Sequence, residues 1–231
     1  MSETRTCMKL KLSDRKPSVF GSKIGGIGYL PHEMDVPTNK QGNQLRLLAQ
    51  LNCSEVMLDN FPKQGLLQFW ILNDSLSGLD LDDPTLQQGF RILYHPFIDE
   101  TVTEMELTFK VYGNPFDDET VFPVKGEYAI EMVKSEENAD DYNDEDSPLS
   151  GHKIGGFPII SKNDPRGKND YHDFLLFQLD SDFSSETDES GKYEFREKVM
   201  WGDAGAGCFF INREALKLLD FSDVLYYWDN T

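Results

Sequence analysis

Three short blocks occur twice in this chain, in the same order. The first set is Ser22–Gly26 (SKIGG), Leu47–Leu51 (LLAQL) and Gly65–Ile71 (GLLQFWI). The second set is His152–Gly156 (HKIGG), Leu175–Leu179 (LLFQL) and Gly205–Ile211 (GAGCFFI). The spacing between blocks differs between the sets, as expected where surface loops vary in length. We therefore predict an internal duplication whose two halves share one interior around a pseudo-two-fold axis.

The dominant hydrophobic period is two, which is typical of β-strands. Apolar residues alternate with polar ones over 127–132 and, less cleanly, over 90–95, and the alternation of Met105, Leu107, Phe109 and Val111 predicts a further strand. Nearly continuous apolar runs at 45–52, 65–72, 174–179 and 207–211 predict strands that are covered on both faces. The predicted fold class is α+β and β-dominated, with internally duplicated antiparallel sheets packed about a pseudo-two-fold axis and few short helices.

Helix signals are few. Asn212 is a suitable N-cap for a helix that runs through Leu219. Ser54 is a candidate cap for a short turn through Leu58, and Asp83-Pro84 for another.

Composition along the chain predicts its organisation. The polar residues 1–19 are interpreted as an N-terminal tail, followed by a single duplicated domain over 20–231. Within it, copy one spans about 20–134 and copy two about 151–231. The acidic stretch 135–150 between them is interpreted as a linker, because like charges at that density repel one another and stay solvated.

The chain is strongly acidic. It has 41 Asp and Glu residues against 22 Lys and Arg, a formal net charge of −19, with concentrations at 136–146 and 180–189. Such a surface repels nucleic-acid phosphates and anionic membranes, so we predict neither as a direct partner. It favours a basic protein partner, although solubility alone also explains many of the carboxylates.

Cysteine use and the N-terminus give expectations about location. Cys7, Cys53 and Cys208 are far apart, odd in number and in no C-x-x-C pair, which argues against a disulfide framework or a cysteine zinc site. The first twelve residues have no signal-peptide pattern, and no apolar run is long enough to cross a bilayer. We therefore expect a cytoplasmic protein with buried thiols.

The Lys-Ile-Gly-Gly blocks are the first candidate site. Lys23, Gly25 and Gly26 recur as Lys153, Gly155 and Gly156. Glycine amides beside a lysine can hold an anion, but the same residues suit a structural turn before a strand. The spacing matches neither the P-loop nor the dinucleotide fingerprint.

Two glutamines and a glycine-rich segment supply further candidates. Gln50 and Gln178 interrupt matching apolar strands, either as the polar floor of a central pocket or as structural caps for backbone groups. Asp203 follows Trp201 in a segment whose counterpart, Pro62–Gly65, has no carboxylate. Asp203 is therefore either a turn residue or a cleft carboxylate. His152 replaces Ser22 in the second copy.

No motif for a catalytic nucleophile or a bound metal is present. The histidines lack H-E-x-x-H spacing, there is no G-x-S-x-G elbow, and the acidic segment 180–191 departs from the calcium-loop pattern. We predict no cofactor and no metal.

Six blocks together carry a resemblance to a known family. They are Ser22–Gly26, Leu47–Leu51, Gly65–Phe69, Asp164–Arg166, Met200–Asp203 and Leu219–Tyr226. In this order they resemble the YwqG-like family of bacterial proteins of unknown function, over about 20–231. The resemblance implies a cytoplasmic bacterial protein with a duplicated β-rich fold. It also implies protein binding, because relatives have been proposed as toxin-immunity proteins and the fold is distantly similar to a eukaryotic ribosomal-protein chaperone family.

Three functions follow as hypotheses. The first is a binding module for a basic protein, such as a toxin domain or ribosomal protein, in which Tyr226, Tyr227 and Trp228 are either anchors or core residues. The second is an enzyme or small-molecule binder with a pocket between the repeats, which requires Asp203, Trp201, His152 and Lys153 to converge. The third is a scaffold that functions only within a complex.

Overall fold

Strands dominate the fold, as the period-two pattern predicts. The computed structural model describes residues 3–111, 121–140, 149–160, 164–167, 171–187 and 193–230. The strands are β1 (Thr4–Ser13), β2 (Lys23–Gly25), β3 (Arg46–Asn52), β4 (Leu66–Ile71), β5 (Phe90–His95), β6 (Glu127–Asn138), β7 (His152–Gly155), β8 (Phe174–Asp180), β9 (Asp182–Thr187), β10 (Tyr193–Val199), β11 (Ala206–Ile211) and β12 (Val224–Asp229). The helices are α1 (Glu104–Lys110) and α2 (Arg213–Lys217).

Ten strands form one antiparallel sheet, which is nearly closed into a barrel, so the prediction of separate duplicated sheets packed together is wrong. The strand order of this sheet is β12-β11-β8-β7-β1-β6-β2-β3-β4-β5, and β9 with β10 forms a separate hairpin. The edge strands β5 and β12 approach each other, since the rings of Phe90 and Tyr226 lie 5.2 Å apart. The segment before β5 helps to cover the edge of β12, because the Tyr226 amide donates to the Pro84 carbonyl at 2.9 Å.

The apolar runs at 45–52, 65–72, 174–179 and 207–211 form β3, β4, β8 and β11, as predicted. Both faces of these strands are covered. Inside the curved sheet, Phe69 packs against Phe177 with ring centroids 4.7 Å apart, and Phe209 stacks on Tyr226 at 4.5 Å. A second cluster that includes Tyr29, Leu47, Leu66 and Trp70 covers β3 and β4 on the other side. Because the neighbours of these strands are apolar on both faces, polar side chains within them require internal partners.

The interpretation of residues 1–19 as a tail is wrong. Residues Thr4–Ser13 form β1, which pairs with β6 on one side and β7 on the other. Met8 is fully buried and Leu10 nearly so, while Lys11 between Leu10 and Leu12 is exposed. The lysines give this segment a polar composition, but the alternation of Met8, Leu10 and Leu12 with Lys9 and Lys11 is that of a half-buried strand.

The interpretation of 135–150 as a linker is also wrong at its start. Strand β6 continues to Asn138, which pairs with Thr4 at the beginning of β1. Glu137, counted among the solvated acids, is buried. Residues 141–148 of the predicted linker lie outside the described residues.

The strand predicted from Met105 to Val111 is a helix. The Thr103 hydroxyl accepts a hydrogen bond from the Glu106 amide and begins α1 there. Leu107 is buried, whereas Met105 and Phe109 are exposed on the helix surface. The pattern Thr-x-x-Glu at 103–106 is a helix-start signal that outweighs the alternation. The helix predicted after Asn212 is confirmed, since the Asn212 side chain caps α2, although α2 ends at Lys217 rather than at Leu219.

The sheet order places matching sequence blocks on equivalent strands. Outward from the β1–β6 pair lie β2, β3, β4 and β5 on one side and β7, β8, β11 and β12 on the other. Lys23 lies opposite Gln50 in the β2–β3 ladder, and Lys153 lies opposite Gln178 in the β7–β8 ladder. The internal duplication itself stays a prediction.

Candidate functional site

Lys153 lies at the centre of the first buried cluster of candidate residues. Its ammonium Nζ is 3.0 Å from both carboxylate oxygens of Glu137 and 2.6 Å from the Leu149 carbonyl oxygen. The Phe157 amide donates to Glu137 Oε2 at 2.9 Å, and Lys9 pairs with Oε1 of the same carboxylate. Both charges therefore lie in the interior with several hydrogen-bond partners, the condition under which a buried ion pair is tolerated.

Lys23 has similar surroundings in the other half of the sheet. It is buried, and its Nζ donates to the Ile27 carbonyl at 3.0 Å and to Glu127 Oε1 at 3.1 Å. Both acids lie on β6, but they reach their lysines differently. Glu127 is on the strand directly beside β2, whereas Glu137 reaches Lys153 across the intervening strand β1. The side chain of Glu127 is 16% exposed and that of Glu137 only 1%. The pair at Lys153 is thus the more deeply buried.

The second glycine of each block makes room for the carboxylate. A Cβ atom placed at Gly26 would overlap Glu127, and one at Gly156 would overlap Glu137 Oε2. Both glycines, like Gly25 and Gly155 before them, have positive φ angles of 69–75°. The motif thus combines a buried lysine, a left-handed backbone and space for the lysine's counter-ion.

Gln50 and Gln178 bind backbone groups of neighbouring segments. Gln50 Oε1 accepts from the Tyr29 amide at 2.9 Å, and its Nε2 donates to the Val19 and Gly21 carbonyls. Gln178 Oε1 likewise accepts from the Ile159 amide at 2.8 Å, and its Nε2 donates to Gly151 and Leu149. These contacts match the structural alternative for the two glutamines.

A buried polar network extends from Gln50 to His95. Gln68 Nε2 donates to Gln50 Oε1 at 2.8 Å, and Gln68 Oε1 accepts from Trp70 Nε1 at 3.0 Å. His95 Nε2 is 3.1 Å from the same Gln68 oxygen. Burial lowers the pKa of His95 from 6.5 to about 4, because it disfavours the charged imidazolium. The imidazole is therefore neutral at physiological pH.

Burial also determines the direction of the lysine shifts. Desolvation lowers the pKa of Lys153 below its usual value even though Glu137 opposes this, and the pKa of Lys23 falls for the same reason despite Glu127. For Glu137, burial alone would raise the pKa, but Lys153 and the hydrogen bonds from Lys9 and Phe157 outweigh it, so the net shift is downward. The glutamate is the anion of this pair.

The residues predicted to converge around Asp203 have different environments. Asp203 is exposed in the turn before β11, whereas Lys153 is buried. His152 Nδ1 accepts from the Asp180 amide, and its Nε2 lies 3.5 Å from Asp182. Trp201 is buried against Trp228, with ring centroids 5.8 Å apart. The polar contacts of Lys153 and His152 involve Glu137, Leu149, Asp180 and Asp182.

A family model matches the chain from just before β2 to just after β12. It is a domain of unknown function, DUF1963, and the match covers residues 22–230. The chain belongs to the DUF1963 family. A comparison with curated proteins found no match.

Several residues that complete the buried clusters of this DUF1963 chain were missed in the sequence. Glu127 and Glu137 pair with the lysines, and Gln68 and His95 extend the glutamine network. Gln68 could have been predicted, because it is a polar residue within the apolar Gly65–Ile71 block, the same signal that identifies Gln50 and Gln178. Glu137 could not be predicted, because it has acidic neighbours and charge density does not indicate which carboxylate is buried.

Two open clefts of the DUF1963 domain are lined by other residues. The first, of about 430 Å³, is formed by the connection between β4 and β5 and by Asn39 and Gln41. The second, of about 480 Å³, lies between β5 and the α2–β12 connection. The described residues contain no group of three or more His, Cys, Asp or Glu side chains placed to hold a metal ion. No helix in the described part of the chain has the length and apolar character needed to span a bilayer.

Proposed function

We propose that this DUF1963 chain is a binding module for a basic protein, of the immunity or chaperone type, in the bacterial cytoplasm. The cytoplasmic assignment is supported by the three cysteines, which are all free and buried. We also propose that the two halves arose by duplication and that the chain is YwqG-like. The sheet order and the matching Lys–Gln pairs support the duplication.

The observation that carries the binding proposal is the composition of the cleft formed by the β4–β5 connection, here named the Asp–Leu groove. It combines aspartates with leucine side chains. Its lining residues are Asn39, Gln41, Leu72, Asp74, Leu76, Gly78, Leu79, Asp80, Leu81, Asp82, Gln88 and Gly89. Leu81 is 72% exposed and Leu76 is 42% exposed. Large apolar side chains at this exposure are typical of contact surfaces when they cluster.

Hydrogen bonds within the loop hold the groove in shape. Asp74 Oδ1 accepts from the amides of Leu76 and Gly78, and Asp80 Oδ1 accepts from those of Asp82 and Asp83. The carbonyls of Ser77 and Leu76 accept from Tyr226 and Trp228, which ties the loop to β12. A preformed groove loses less conformational entropy on binding than a flexible loop.

The chemistry of the groove fits a basic segment that carries a leucine-sized apolar side chain. The aspartates would attract lysine or arginine, and the exposed leucines would cover the apolar group. A net charge of −19 would also speed the encounter with a basic partner. By contrast, the polar atoms of Lys153, Gln50 and Gln178 are engaged within the fold, which supports structural roles for these residues.

A fluorescent peptide of alternating lysine and leucine tests the proposal by anisotropy. We expect binding that weakens as salt rises, because the attraction is between exposed charges. Leu81→Ser and Asp82→Asn should each weaken it, the first by about tenfold. The matched controls are Leu218→Ser, at a side chain 79% exposed outside the groove, and Asp35→Asn, at an exposed acid elsewhere.

Two results would contradict the proposal. One is equal loss of affinity in the groove variants and in the controls, which would mean that general surface charge is responsible. The other is equal binding of a peptide in which glutamate replaces lysine.

A further inference from the structure

The second cleft lies where the nearly closed sheet is open. One wall is the edge strand β5 with the residues just before it, and the other is the connection from α2 to β12. Its volume is about 480 Å³, within the range of small-molecule sites. Its lining residues include Gln87, Arg91, Tyr94 and Phe221. We name it the Arg91 cleft.

The walls of the Arg91 cleft are fastened to each other. Gln87 Nε2 donates to the Phe221 carbonyl at 2.7 Å and to the Ser222 carbonyl at 3.2 Å. Gln87 Oε1 accepts from the Ile92 amide of β5 at 2.9 Å. The rings of Tyr94 and Phe221, one from each wall, lie 5.5 Å apart. The cleft therefore has a defined shape and an aromatic surface.

Arg91 is a cation without a protein partner in this cleft. Its Nε atom is buried and has no hydrogen-bond acceptor, and Arg91 forms no ion pair in the part of the chain that the structure describes. This is unexpected in a chain with 41 acidic residues. Other arginines here have carboxylate partners, such as Arg213 with Asp173 and Arg166 with Asp164. A buried N–H without an acceptor is unfavourable, and a ligand carboxylate bound to the half-buried guanidinium would offset part of that cost.

We propose that the Arg91 cleft binds a small carboxylate that has an apolar body. The carboxylate would accept hydrogen bonds from the Arg91 guanidinium, whose planar donor arrangement matches a carboxylate. The apolar body would lie against Tyr94 and Phe221. A monoanion fits better than a phosphate dianion, because the whole chain is strongly acidic and repels multiply charged anions. The proposal does not depend on the Asp–Leu groove or on a protein partner.

Titration of the intact chain with 4-phenylbutyrate tests the inference by calorimetry and by amide NMR shifts. The neutral control ligand is 4-phenylbutanol, which has the same body without the charge. We expect the carboxylate to bind more tightly than the alcohol and to shift the amides of Ile92, Tyr94 and Phe221. Arg91→Gln should weaken carboxylate binding by about tenfold or more and leave alcohol binding unchanged.

Two further variants keep the result interpretable. Arg15→Gln removes an exposed arginine outside the cleft and should bind like the unaltered chain. Arg91→Lys keeps the charge but loses the planar donor pair, so its affinity should be intermediate; it also serves if Arg91→Gln fails to fold. Absence of 4-phenylbutyrate binding at millimolar concentration would overturn the inference. Equal affinity for acid and alcohol, or no effect of either Arg91 variant, would overturn it as well.

Discussion

Lys153 and Glu137 form an ion pair in the interior of the sheet, with both carboxylate oxygens 3.0 Å from the ammonium nitrogen. The two residues are on strands separated by β1, so the pair joins β6 to β7 across a third strand. Neither charge has access to solvent that could replace its partner, since the side chains are 0% and 1% exposed. Loss of either partner therefore leaves a buried charge that is only partly compensated.

Glu137→Gln should lower the free energy of unfolding by about 3–5 kcal/mol, because Lys153 would lose its carboxylate while remaining buried. Guanidinium unfolding measures the change. Glu136→Gln, at the exposed neighbouring position, is the matched control and should change stability by less than about 0.5 kcal/mol. A loss below about 1 kcal/mol for Glu137→Gln would mean that the pair contributes little.

The glycine that follows each Lys-Ile-Gly should affect stability in two ways, through its backbone angle and through the space that it leaves for the carboxylate. In Gly156→Ala the new methyl group would collide with Glu137 Oε2 and separate it from Lys153. Gly151→Ala is a close control, because Gly151 also has a positive φ, of 88°, but no atom of the described residues beyond its chain neighbours lies within 4 Å of its added methyl. We expect Gly151→Ala to cost about 1 kcal/mol from strain, and Gly156→Ala to cost at least about 2 kcal/mol more. Equal costs, measured by chemical unfolding, would show that only the φ angle matters.

His95 should make the fold sensitive to mild acid. Burial lowers its pKa to about 4, whereas the unfolded chain titrates near 6.5. Between these values the unfolded state binds the extra proton, so stability falls as the pH decreases from 6.5 to 4 and is unaffected above 6.5. The shift corresponds to about 3 kcal/mol over that window.

The His95→Gln variant isolates this contribution from that of the carboxylates. Its stability should decline less than that of the unaltered chain between pH 6.5 and pH 4, while the two curves stay parallel above pH 6.5. NMR titration of the His95 ring provides the direct measurement. An imidazole pKa near 6.5 in the folded protein would be incompatible with this prediction.

The sequence predicted the parts of the fold that depend on local pattern. Apolar runs identified β3, β4, β8 and β11, and Gln50 and Gln178 stood out because each is a polar residue within such a run. The matching Lys-Ile-Gly-Gly blocks also identified Lys23 and Lys153 as candidate site residues. The Arg91 cleft was not predictable, because its walls come from β5 and the α2–β12 connection, more than a hundred residues apart in sequence.

The errors arose where composition hid a pattern or where long-range pairing decided the outcome. The acidic neighbours of Glu137 predict a solvated linker, yet the pairing of β6 with β1 places Glu137 beside Lys153. For α1, the cap at Thr103 favours a helix although Met105, Leu107 and Phe109 alternate. Periodicity alone cannot choose between these outcomes over so short a segment.

The three thiols should be unreactive while the chain is folded. Burial raises the pKa of Cys7 to about 11 and that of Cys53 to about 12, and it raises the pKa of Cys208 strongly. The thiolate is the reactive form, so a disulfide reagent such as DTNB should label none of them in native buffer and all three in denaturant. Rapid labelling of one thiol in native buffer would reveal an opening of the sheet near that residue.

Strand β1 should be essential to the fold, although its sequence has a polar composition. Met8 is fully buried between β6 and β7, so Met8→Ala should cost about 2–5 kcal/mol. Lys11→Ala, three residues along the same strand at an exposed position, should change stability by less than about 0.5 kcal/mol. Guanidinium unfolding separates the two cases, because a disordered tail would make both substitutions neutral.

Deletion of residues 1–13 should prevent folding altogether, since it leaves β6 and β7 with unpaired backbone groups in the middle of the sheet. A truncated chain that unfolds cooperatively at the same denaturant concentration as the intact one would refute this central role.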